Sequence, residues 1–124
     1  MVVLGIRWSV REPDYEGATS GGPDWSAPTL GDVGGDLTEF GKLHIFSSSG
    51  FPPEIAGDCK FPVVSPRSGN LRYDALESAW RMSGHAHVPG EAEREIREMI
   101  RRLVSREFED TDLHDRIREY FEER

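Results

Sequence analysis

The amino-acid sequence predicts a small α+β domain: a short two-stranded β element with long loops, then a C-terminal helical hairpin and a third helix. Three observations carry that expectation. Apolar side chains alternate from Val2 to Val10, glycine and proline are concentrated before residue 91, and an apolar stripe of helical period runs from Ala92 to Phe108. At 124 residues the chain has the usual length of one domain. We read it as a β- and loop-rich part, residues 1–64, followed by a helical part, residues 65–124.

The first element is a strand over residues 2–10. Val2, Leu4, Ile6, Trp8 and Val10 share one side, a period of two that marks a half-buried strand. Pro13 ends it, because proline cannot donate to a ladder. The expected partner is Lys42-Leu43-His44-Ile45-Phe46, with Leu43, Ile45 and Phe51 on the apolar side. Residues 12–36 read as loop, broken by Gly21-Gly22-Pro23 and Gly34-Gly35. Within that loop Trp25 is either a plug on the core or a surface anchor for a partner. Leu37 to Phe40 fits a single helical turn capped by Asp36 and stopped at Gly41. Residues 47–58, with Pro52-Pro53, read as a stiff connector.

The stretch Phe61-Pro62-Val63-Val64 is expected to be extended, since proline keeps the preceding residue out of the helical region. After a turn at Ser65–Gly69, Asn70 would cap a first helix over 71–82, with Leu71, Ala75, Leu76, Ala79 and Trp80 inward. Pro89 introduces the second helix, over 91–108. Its Ala92, Ile96, Met99, Ile100, Leu103, Val104 and Phe108 form one continuous stripe. Glu93–Arg97 and Glu98–Arg102 are spaced for ion pairs on the outer face. Leu113, Ile117, Tyr120 and Phe121 mark a third helix, with Asp110 or Asp112 as cap. That helix is too short to stand alone and needs packing.

Composition narrows the functional classes. Twenty-three acidic against fifteen basic side chains give a net charge of −8, a field that repels nucleic-acid phosphates. An accessory nucleic-acid role would have to use Arg94, Arg97, Arg101 and Arg102, which are interleaved with glutamates. Cys59 is alone, so no disulfide forms within the chain, as expected of an intracellular protein. No apolar run is long enough for a membrane span, and Met1–Leu4 lacks the pattern of a secretion signal.

No catalytic motif stands out. His85-Ala86-His87 could place two imidazoles on a metal, with Cys59 or Asp58 completing a tetrahedral set, but no second metal motif accompanies it. No serine sits in a nucleophile elbow, and neither glycine pair matches a phosphate-binding loop. The expectation is therefore no enzyme, no cofactor and no small-molecule substrate. The aromatic residues are more suggestive. Trp25, Trp80 and Tyr120 are the expected anchors for a protein partner or for self-association.

A family pattern runs through several of these segments. Asp24-Trp25-Ser26-Ala27-Pro28-Thr29-Leu30, Gly57-Asp58-Cys59-Lys60-Phe61-Pro62-Val63-Val64, Gly69-Asn70-Leu71 and Ala75-Leu76-Glu77-Ser78-Ala79 follow in order. Together they resemble a small module of tailed viruses, both phages and haloarchaeal viruses. That module stands alone or accompanies head-maturation proteases and other head proteins. The resemblance spans about residues 24–108 and supplies no catalytic residue. It implies a virus-related structural or interaction component, head- or virion-associated, located in the virion or the host cytoplasm.

Overall fold

The computed structural model describes residues 7–21 and 25–123. Its chain order is β1 (Ser9–Val10), β2 (Gly17–Thr19), α1 (Leu37–Gly41), β3 (His44–Ser47), β4 (Cys59–Pro62), β5 (Asn70–Arg72), α2 (Tyr73–Ser83), α3 (Gly90–Glu107) and α4 (Asp112–Glu122). The fold class is α+β. Strands β1, β3 and β4 form one antiparallel sheet in that order, while β2 and β5 pair in parallel as a second.

The predicted pairing of the first strand with the region around His44 is present: Ser9 faces Ser47 and Val10 faces Phe46. Trp8 stacks on Phe46 at 6.4 Å. Val2, Leu4 and Ile6 lie outside the described residues. The β element has three strands rather than two, because Cys59–Pro62 adds to the free side of β3. Strand β3 is buried on both faces, with His44 and Phe46 as enclosed as Leu43 and Ile45. It is a central strand, flanked by partners on both edges and covered above and below.

Two expectations fail at residues 70–72. Asn70 does not cap a helix; Asn70–Arg72 is strand β5, paired with Gly17–Thr19 across about fifty positions of sequence. Backbone bonds from Ser65 N to Asn70 O (3.0 Å) and from Arg72 N to Val63 O (2.9 Å) hold the same segment against Val63–Ser65. With its backbone groups satisfied on both sides, the segment stays extended, and the helix begins at Tyr73. Residues 12–36 are likewise not all loop. Besides β2 they contain a 3-10 turn at Leu30–Val33, closed by a capping box between Thr29 and Asp32.

The second and third helices meet the prediction closely. Helix α3 buries Ala92, Ile96, Met99, Ile100, Leu103 and Val104, and α4 buries Leu113 and Ile117. The cap of α4 is Thr111, not an aspartate: its hydroxyl accepts from His114 N (3.3 Å) and donates to Phe108 O (2.6 Å). Asp110 instead takes the left-handed turn position, φ 66°. Asp36 caps α1 as expected, accepting from Thr38 N and Glu39 N, but Gly41 is the last helical residue rather than a stop. One core cluster runs from Leu43, just before β3, to Ile117 in α4, so the loop-rich and helical parts share their interior.

Candidate functional site

The structure separates the three predicted anchors into two places. Trp80 and Tyr120 meet each other edge-on at 5.1 Å, and Phe121 closes the group at 5.1 Å from Tyr120 and 6.3 Å from Trp80. They form a half-buried aromatic seam between α2 and α4. Arg97 of α3 lays its guanidinium over both rings, 4.4 Å from Trp80 and 4.6 Å from Tyr120. Trp25 lies apart from them, half-buried, against Arg72 at 5.0 Å.

The candidate nucleic-acid arginines are thus unequal. Arg97 is enclosed by rings instead of pairing with Glu93, and Arg101 is held by Glu98 through two bonds of 2.7 and 3.1 Å while lying over Phe121. The expected Glu98–Arg102 pair is replaced by this three-residue spacing, in which the shorter reach also lets Arg101 cover a ring. Arg94 and Arg102 remain exposed.

Trp25 borders an apolar concavity. Its place is set by Arg72, which is buried at the end of β5 and grips Asp74 with Nε–Oδ1 at 3.0 Å and an Nη2–Oδ2 contact of 2.8 Å. Asp74 in turn accepts from Ala75 N at 2.9 Å in the first turn of α2. The chain reaches this aspartate only because residue 21 is glycine. A Cβ there would fall 2.4 Å from the Asp74 carboxyl carbon, and φ is +100°.

Between Trp25, strand β4 and helix α2 lies a groove of about 470 Å³. Trp25, Phe61, Pro62, Ala75 and Ala79 give it an apolar interior; Lys60, Ser78, His85 and His87 supply the polar side chains. Met82, 52% exposed, leaves its thioether accessible at one edge. The small side chains at 75, 78 and 79 are what make room, since they follow one another along a face of α2. The volume falls within the range of small-ligand and peptide sites, as does the mostly apolar lining.

Phe61 is unusual within this site. It is nearly buried, yet its φ is +63° immediately before Pro62. A bulky residue pays sterically for that region, about 1–3 kcal/mol, and such strain gathers at ligand clamps. The expectation of an extended Phe61 is therefore only half met: the residue lies in β4, with its own φ reversed.

The chemistry of the remaining groups is quiet. Cys59 is half-buried, and burial, with the Asp58 carboxylate next to it, pushes its thiol up to about 11. Asp58 accepts from Ser49 at 2.7 Å, and this bond lowers its carboxyl below the usual value. Among the described residues no three His, Cys, Asp or Glu side chains come together as a metal set, so His85 and His87 are not joined by Cys59 or Asp58. Nor is any helix of those residues long and apolar enough to cross a membrane.

Sequence reasoning identified Trp25 and the two histidines separately but not the groove that unites them. A signal was present in Ala75, Ser78, Ala79 and Met82, spaced three and four apart on one helical face. Comparison with protein-family models, curated proteins and solved structures finds no match.

Proposed function

We propose that the protein is a non-enzymatic, virus-related component, head- or virion-associated, that acts by docking another protein. The observation that supports this is the apolar groove beside Trp25, with Met82 exposed at its edge. An interaction site needs a desolvated aromatic anchor in a pocket and a polar margin that excludes water, and the groove has both kinds of residue. Trp80 and Tyr120 contribute from the neighbouring seam, where they fix the end of α2 rather than project from it. The virus-related context rests on the sequence resemblance, and the docking role on the groove.

The test is association with head proteins of the same virus, in the virion or in host cytoplasm, followed by light scattering. Trp25→Ala should weaken the complex by about tenfold or more, as expected for an interface hot spot, with helix content unchanged by circular dichroism. Equal association of the two proteins would remove the reading.

A further inference from the structure

The charge around the groove departs from that of the chain as a whole. Twenty-three of 124 residues are acidic, yet none of the described side chains lining the groove is Asp or Glu. Its ionisable members are Lys60 on β4 and His85 and His87 on the loop after α2.

Resting on the docking reading above, we propose that the groove takes an apolar segment of a partner protein whose flanking carboxylates meet Lys60, His85 and His87. The apolar part lies on Trp25, Phe61 and Ala79. The acidic flanks face a margin at which no described lining side chain is a carboxylate. The same arrangement rejects basic segments, which would place cations against this margin. Specificity follows from that difference as much as from the apolar contact.

Selection of displayed random peptides of roughly twelve residues against the immobilised full chain tests this. Recovered sequences should combine aromatic or aliphatic residues with flanking Asp or Glu. Lys60→Glu should weaken their binding about tenfold or more, measured by fluorescence anisotropy of one recovered peptide. Ser78→Trp, which fills the groove from α2, should abolish it; Ala27→Trp does the same from an exposed loop position, should the helix variant fail to fold. Groove-dependent peptides with neutral or basic flanks would overturn the charge assignment while leaving the docking reading in place. Peptides indifferent to both tryptophan variants, or no enrichment at all, would overturn both.

Discussion

His44 is enclosed in the central strand at 3% exposure, and its ring Nδ1–H donates to Phe40 O at 2.8 Å. Burial pushes the imidazole below its ordinary value of 6.5, against a smaller opposing effect of that hydrogen bond. The unfolded chain therefore binds the proton first. Stability is fully present above pH 6.5 and falls as pH drops from there to the lowered folded value. Glu12 and Asp58, both lowered in the fold, act with the same sign but below their ordinary 4.5 and 3.8. Urea midpoints should thus decline on going from about pH 7.5 to about pH 5.5, and His44→Gln should flatten that slope. An unchanged slope in the variant would assign the effect elsewhere. Cys59 gives a second residue-scale outcome. With its thiol up at about 11, alkylation by iodoacetamide near pH 8 should run well below the rate of a free cysteine peptide, and mass spectrometry measures it. Single residues were legible where one local rule decides them, as for Asp36 at its cap. They were not legible where a distant partner decides, as for Arg97, whose rings come from Trp80 and Tyr120.

Helix α3 is the element on which the others lean. Its buried stripe packs against α2, α4 and β1, so truncating Leu103 to Ala should cost about 2–5 kcal/mol by denaturant unfolding. Asp36→Ala, which removes a cap from a five-residue helix at the surface, should cost about 0.5–2 kcal/mol on the same scale. Elements were readable in proportion to how local their causes are. The periodicity of α3 lies within eighteen residues, and the helix was found within one residue at each end. The pairing of β2 with β5 joins Ala18 to Leu71, and Gly17–Thr19 carries no alternation to announce it. Asn70 has the chemistry of a cap, but the strand hydrogen bonds of Asn70 O and Arg72 N prevailed over that local preference. The groove was hidden for the same reason. Its walls come from the loop at Trp25, from β4 and from α2, and only the shared core brings them together.

At the scale of the whole molecule, the N-terminal segment is tied to the end of α3. Arg106 near the end of α3 bonds Glu12 at 2.8 Å and the Tyr15 hydroxyl at 3.1 Å, while that hydroxyl donates to Glu107 at 2.7 Å. These groups are exposed, so each pair adds little to stability and the cluster mainly fixes where the N-terminal segment lies. The net charge of −8 bears on partners more than on fold. With Arg97 enclosed and Arg101 paired to Glu98, the arginine face of α3 offers DNA only Arg94 and Arg102 in exposed, unstacked form. Any binding at low salt should therefore have a shallow salt dependence, with a log–log slope near two, read by fluorescence titration. The central claim is that the groove docks a partner, and light scattering of the wild-type chain and Ser78→Trp with head proteins of the same virus tests it most directly. The wild-type chain should form a complex and Ser78→Trp none, at equal helix content. Equal complex formation by both proteins, or none by either, would contradict it.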